Sequence, residues 1–148
     1  MFNIRTAGAA DSAAISAVHA AASGADAHQA AGHSHDLTYV AETDGRVVGF
    51  IALQLASHPA VESRNPIQLW QIYGLPEFHG SGAANQLMAA AFGRARMHLH
   101  DVIWLGVSEH NGRGIAFYRK HGFGSLGLHQ VGVGGHMHQD IVMSCALG

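Results

Sequence analysis

Apolar and polar positions change period several times along the chain, and each change marks an element. Phe2-Asn3-Ile4-Arg5 alternates with period two, the mark of a short strand. Asp11 or Ser12 can then cap a helix whose apolar positions include Ile15 and Val18, fading near Gly24. Residues 24 to 36, GADAHQAAGHSHD, have no period and read as a loop with at most a weak helical turn. Thr38 to Glu42 and Arg46 to Gln54 form a hairpin around Asp44-Gly45, because glycine accepts the positive φ of a tight turn. Residues 55 to 66 are a second loop, and Ile67 to Gly74 is apolar enough for a buried strand. Gly82 to Met97 is helical, with Leu87, Met88, Ala91, Phe92 and Ala95 on one stripe. Val102 to Val107 is a continuous apolar strand. Asn111 to His121 is a short helix with Ile115 and Tyr118 three apart, closed by Gly122, and strands follow near 125–133 and 139–146.

The order is β-α-β-β-β-α-β-α-β-β. A helix twice separates two buried strands, which predicts a mixed α/β fold with at least one parallel pair. With 148 residues the expectation is one domain, 1–148. Hydrophobic residues make up 48%, enough for a sizeable core, while only 12% are charged, against a usual ~25%. The net charge of −2 gives no broad basic face for nucleic acid. Cys145 is the one cysteine, so an internal disulfide is excluded, as suits a reducing cytoplasm. The N-terminus lacks the apolar core of a signal peptide, and no run approaches the ~18 apolar residues of a membrane span. A cytoplasmic protein without membrane partners is therefore expected.

One stretch carries chemistry. In LPEFHGSGAANQLMAAAFGRA, Leu75-Pro76 runs into a glycine-spaced loop and straight into an alanine-rich helix. A helix start leaves up to four N–H groups unpaired, with roughly half a positive charge from the dipole. Gly80 and Gly82 bring no side chains, so a phosphate or pyrophosphate could approach the backbone. No Lys-Ser/Thr follows, which excludes a triphosphatase loop, and the glycine spacing is not that of a dinucleotide fold. The bland alternative is an ordinary turn before a helix. A second stretch, LGVSEHNGRGIAFYRKHGF, places Asn111 and Tyr118 seven residues, or two helical turns, apart on one face. Taken singly, Asn111 could be a helix cap and Tyr118 a core aromatic.

Together the two stretches resemble the GCN5-related N-acetyltransferases (GNAT). That family's acetyl-CoA loop, Gln/Arg-x-x-Gly-x-Gly/Ala, is matched by His79-Gly80-Ser81-Gly82-Ala83-Ala84, with His79 in the first place. Its later motif, Asn-x-x-Ala-x-x-x-Tyr and then Gly-Phe, is matched by Asn111, Gly114, Tyr118 and Gly122-Phe123, with glycine for alanine at 114. The YVAETDGRVVGFIAL hairpin and the LWQIYGLPEF strand also stand where the family has them. The resemblance runs from about Ile4 to Leu147 and is nearest to small bacterial acetyltransferases of the PaiA type.

The resemblance implies a twisted mixed sheet of six to seven strands with helices on both faces. It implies acetyl-CoA as cosubstrate, its pantetheine arm on the backbone of Ile72, Tyr73 and Gly74 and its pyrophosphate on the amides of residues 79 to 84. It implies acetyl transfer to a primary amine of a small molecule or peptide, with Tyr118 meeting the departing thiolate. Full proton transfer from a phenol of pKa about 10 to a thiol of about 8.5 is uphill by about 2 kcal/mol, so a strong hydrogen bond is the expected role. The place where relatives often carry a glutamate base is Gln68, which cannot titrate. His79, His110, Glu109, Glu77 and Glu62 are the remaining base candidates. The segment expected to wall the acceptor carries few acids, Asp26 and Asp36, where a polycation would want many. Many relatives form homodimers, and a low charge count fits the same expectation here.

Thirteen histidines include three His-x-His pairs, His33/His35, His98/His100 and His136/His138. On a strand each pair would share a face and could supply two metal ligands. One cysteine makes a four-ligand structural site hard to complete, so no metal is expected and the histidines are read as surface residues standing in for charges. Two other functions stay open: a non-catalytic acyl-CoA-binding module on the same fold, and a histidine-rich metal binder.

Overall fold

The computed structural model describes residues 2–23, 35–133 and 136–148. Among these lie seven strands and three α-helices: β1 (Asn3–Thr6), α1 (Ser12–Ser23), β2 (Thr38–Thr43), β3 (Arg46–Gln54), β4 (Pro66–Gly74), α2 (Ala83–Met97), β5 (Val102–Val107), α3 (Gly112–Lys120), β6 (Gly124–Val133) and β7 (His136–Ala146). The strand order is β1-β2-β3-β4-β5-β7-β6. The sheet is mixed: β4 pairs β5 in parallel, while β1/β2, β2/β3, β5/β7 and β6/β7 are antiparallel. Element order and mixed α/β class are those the periodicity implies. The chain divides into two compact units, residues 1–54 with 69–94, and residues 55–68 with 95–148.

In the first unit, the β2–β3 hairpin turns on Asp44 (φ 50°) and Gly45 (φ 74°), the two successive positive angles of a two-residue turn. Val48 to Leu53 of β3 are all buried, which explains an apolar run without alternation: both faces are covered. The start of α1 differs from expectation. A 3-10 turn, Ala9–Asp11, precedes it, and Asp11 caps neither end of α1. The Asp11 carboxylate instead reaches back to the Gly8 amide at 2.7 Å. Arg5 holds it there with bonds of 2.8 and 3.0 Å, and also reaches Glu42 at 3.0 Å. One guanidinium thus ties β1, the turn and β2 together. The Arg5 bond, then the Gly8 amide, hold the Asp11 carboxyl down to about 2. Of the loop expected over 24 to 36, residues 24–34 lie outside the described residues, and His35–Leu37 is a 3-10 turn.

In the second unit, Asp101 organises the chain before β4. It accepts hydrogen bonds from the Ser63 hydroxyl and from the Arg64 and Asn65 amides, both at 3.1 Å. Asn65 in turn bonds the Leu99 carbonyl at 3.1 Å. Trp104 donates to the Ala56 carbonyl at 2.8 Å and packs with Val61, Val131 and Val142. The loop over 55–65 is therefore a covering layer with its own core residue, Val61. The parallel register sets Pro66, Ile67 and Gln68 against Val102, Ile103 and Trp104.

Candidate functional site

The first unit carries the loop and the strand that leads into it. β4 ends at Gly74, and the Leu75 amide bonds the Val48 carbonyl at 2.8 Å, which fixes where the chain leaves the sheet. The Pro76–Phe78 3-10 turn follows. The His79 amide is bonded to Pro76 and the Ser81 amide to Phe78, each at 3.1 Å. The Ser81 hydroxyl donates to the Phe78 carbonyl and accepts, at 3.4 Å, from the Ala83 amide. The Gln86 amide bonds the Gly82 carbonyl at 3.1 Å, so Gly82 stands at the cap of α2. The loop is thus wound tightly, with part of its donors used internally.

The rest of its donors are available. Among the described residues the amides of Gly80, Gly82 and Ala84 have no hydrogen-bond partner. Gly80 and Gly82 take φ of 79° and 95°, where a side chain is strained, and a Cβ on either would meet nothing within 4 Å. Glycine is required there by backbone angle, not by crowding from the protein. Open space, free donors and the positive end of α2 suit an anion bound by backbone. His79 is exposed beside them. A Cβ on Gly74 would meet only the Val48 carbonyl, at 3.8 Å, so space is open along this strand as well.

Tyr73 of β4 packs against α1 and β3. The Tyr73 ring meets the His19 ring edge-on, with centroids 4.8 Å apart at 85°, and the Phe50 ring at 5.9 Å. Burial raises the Tyr73 pKa, so its phenol stays neutral. A Cβ on Gly49 would lie 3.1 Å from the Tyr73 carbonyl oxygen and 3.5 Å from Gly74 Cα, a close approach that only glycine allows without a shift. Sequence reasoning missed both supports. Gly49 had a signal, a glycine inside an apolar strand. His19 had a weaker one, a histidine four residues after Ile15 on the apolar stripe of α1.

The second unit carries α3. Asn111 is its N-cap, the side-chain oxygen accepting from the Gly114 amide at 3.0 Å. Gly122, at φ 96°, ends the helix: its amide bonds Arg119, and the Phe123 amide bonds the Tyr118 carbonyl at 3.1 Å. Arg119 and Lys120 in the last turn suit the negative end of the dipole. Tyr118 is half-buried, with Phe123 and Phe117 edge-on at 5.9 and 5.7 Å. The His121 ring lies 4.7 Å from Phe117, and burial, then Lys120, lowers its pKa.

The base candidates are scattered over the surface of the two units. Glu77 sits 3.6 Å from Arg46, and Glu109 3.6 Å from His110. Glu62 is exposed. Gln68 is buried. Of the histidine pairs, His98 and His100 lie after α2 on no strand, which corrects the shared-face expectation. His98 is exposed, whereas His100 is buried and bonded through Nδ1 to the Asn65 carbonyl at 3.0 Å. His33 lies outside the described residues, and His136 and His138 lie on β7. Among the described residues no group of three or more His, Cys, Asp or Glu comes together as a metal site would need.

A model of the acetyltransferase (GNAT) family matches residues 11–123. The chain belongs to the GNAT acetyltransferase family. The matched span includes the α2 loop, Asn111, Tyr118 and Gly122-Phe123. An uncharacterized N-acetyltransferase of Mycobacterium tuberculosis is 38% identical over 109 residues, covering 70% of this chain and 62% of that protein. Another, from Lactobacillus delbrueckii subsp. lactis, is 30% identical over 111 residues, covering 74% and 64%. The chain thus spans somewhat over three fifths of these relatives' length. Among solved structures, the ribosomal-protein-S18-alanine N-acetyltransferase of Escherichia coli superposes with a TM-score of 0.79 at 16% identity, over 99% of this chain and 94% of that one. A yncA acetyltransferase from Salmonella typhimurium, solved with its cofactor acetyl-CoA, gives 0.75 at 24% identity, over 100% and 95%. At those identities the likeness is one of GNAT fold: a seven-stranded mixed sheet with three helices.

Proposed function

We propose that this GNAT chain is an acetyl-CoA-dependent N-acetyltransferase acting on a primary amine of a small molecule or peptide. The observation that carries the reading is the start of α2: Gly80 and Gly82 at positive φ, open space where their side chains would be, and the free amides of Gly80, Gly82 and Ala84. These three amides would bind the pyrophosphate of the cosubstrate, with the Ala83 amide already turned to the Ser81 hydroxyl, and the Ile72, Tyr73 and Gly74 backbone its pantetheine arm. Asn111 already spends its side-chain oxygen on Gly114, so its amide group is what it would offer a ligand.

The chemistry is one exchange. The acceptor nitrogen forms the new C–N bond at the thioester carbon, the C–S bond breaks, the ammonium proton leaves, and the thiolate is met by the Tyr118 hydroxyl. With Gln68 buried in the place of the usual glutamate, the proton from nitrogen goes to water or to a surface histidine. We place the chain with the small PaiA-type branch and in the cytoplasm; among the described residues no helix is long and apolar enough to cross a membrane. A homodimer belongs to the same proposal.

A non-catalytic acyl-CoA-binding module is the second reading, and Gln68 is the observation that favours it. Calorimetric titration of chelator-treated protein with acetyl-CoA and with plain CoA decides first. The expected result is micromolar binding, about −8 kcal/mol. No binding to either would overturn both readings, and binding without turnover on an amine panel would favour the second.

A further inference from the structure

α1 is built of alanine, serine and aliphatic residues, with one exception on its buried stripe. His19 lies four residues after Ile15, is 2% exposed, and occupies a place where an aliphatic side chain would cost less to bury. It makes two contacts with β4. Its Nε2 lies 3.4 Å from the Gln71 side-chain amide, and its ring meets the Tyr73 ring edge-on at 4.8 Å. Gln71 and Tyr73 are two apart, so they share one face of the strand.

Tyr73 has two further neighbours on β3. The Phe50 ring lies 5.9 Å from its ring, and Gly49 lets β3 lie against its carbonyl. With ring and carbonyl both constrained, the side chain of Tyr73 and the peptide planes around it move together. We infer that His19 is a positioning residue: by holding the Tyr73 ring it sets the orientation of the Ile72–Gly74 backbone, and through it the affinity for acetyl-CoA. The inference rests on the acetyl-CoA reading for its functional consequence and on the geometry of the first unit for its structural one. The required interaction is ring edge against ring face, so an aromatic replacement preserves it and a small one does not.

The test uses the full chain and three variants, His19→Ala, His19→Leu and His19→Phe. Backbone amide shifts of Ile72, Tyr73 and Gly74 are recorded by NMR without ligand, and acetyl-CoA affinity by calorimetry. His19→Ala is expected to shift those three amides and to weaken acetyl-CoA by about three- to tenfold, the worth of one directional aromatic pair. His19→Phe is expected to restore affinity to within about twofold of wild type, while His19→Leu, which fills the space without a ring, is expected to stay weakened like His19→Ala. Unmoved amides in His19→Ala, or equal affinities in His19→Leu and His19→Phe, would overturn the inference. Should His19→Ala fail to fold, the comparison of His19→Leu with His19→Phe decides in the same way. Wild-type protein that binds no acetyl-CoA would overturn the acetyl-CoA reading and the affinity half of the inference, while the ligand-free amide shifts decide the positioning half.

Discussion

The side-chain oxygen of Asn111 accepts the Gly114 amide at 3.0 Å, and Gly114 has no room for a methyl group: a Cβ there would lie 2.5 Å from Asn111 Nδ2. The family motif has alanine at that place. Alanine in a helix is worth about 1 kcal/mol over glycine, and a lost cap costs about 1 kcal/mol, so the two terms nearly cancel. Gly114→Ala is therefore expected to shift stability by less than about 1 kcal/mol while turning the Asn111 side chain away. Thermal melting reads the first expectation. A changed acetyl-CoA affinity in the same variant would place Asn111 at the cosubstrate, and an unchanged one would leave it a helix cap.

Gly82→Glu puts a side chain and a negative charge where the proposed pyrophosphate lies, at a φ of 95°. Acetyl-CoA binding is expected to vanish in a titration that detects millimolar affinity. Gly82→Ala separates the causes, since it carries the backbone strain, about 1–2 kcal/mol, without the charge. Micromolar binding retained by Gly82→Glu would remove the loop from the cosubstrate site.

Tyr118→Phe keeps the ring that packs on Phe117 and Phe123 and deletes the hydroxyl. Turnover is expected to fall by at least about tenfold, with acetyl-CoA affinity unchanged. Equal rates for variant and wild type would take Tyr118 out of the mechanism.

Acid should weaken the first unit through Asp11. Its folded pKa, about 2, is depressed below the ordinary 3.8, so its contribution is present above about pH 4 and is lost as pH falls toward 2. The ceiling is about 2 kcal/mol, and solvent screening of the half-exposed Arg5 brings it lower. Asp101 titrates in the same window, held low first by the Ser63 hydroxyl and then by the Arg64 amide. Melting curves from pH 2 to 6 for wild type and Asp11→Asn separate the two. The variant should start less stable at pH 6 and lose less on acidification; parallel curves would show the Arg5 pair to be without consequence.

Leu99 follows α2 at φ 62°, a left-handed angle, with 82% of its surface exposed. Relief of about 1–2 kcal/mol of strain outweighs the 0.5–1 kcal/mol that glycine adds in chain entropy. Leu99→Gly is expected to stabilise by about 0.5 kcal/mol, seen as a higher melting temperature; a lower one would show that Leu99 packs against something not evident from its exposure.

Wherever a feature depends on neighbours in sequence, it could be read from the chain. Asp44-Gly45 needs only its own backbone angles to turn the hairpin, and Gly122 likewise to stop α3. The glycine-spaced start of α2 was visible for the same reason, as was the order of strands and helices from their periods. The Asp11 cap was misplaced because Arg5 competes for the carboxylate, and Arg5 is itself placed by Glu42, 37 residues away. His98 and His100 looked like a pair and have opposite fates, since Asn65 claims one of them from 35 residues off.

The chain alone therefore determined which segments are strands and helices, where they turn, and which helix opens on spaced glycines. Only the tertiary structure decided what packs on the end of β4: His19 from α1 against the Tyr73 ring, and Gly49 from β3 against the Tyr73 carbonyl. Local period records which residues prefer to be covered. It cannot record by what, because that choice belongs to pairings between segments far apart in sequence, made when the sheet assembles.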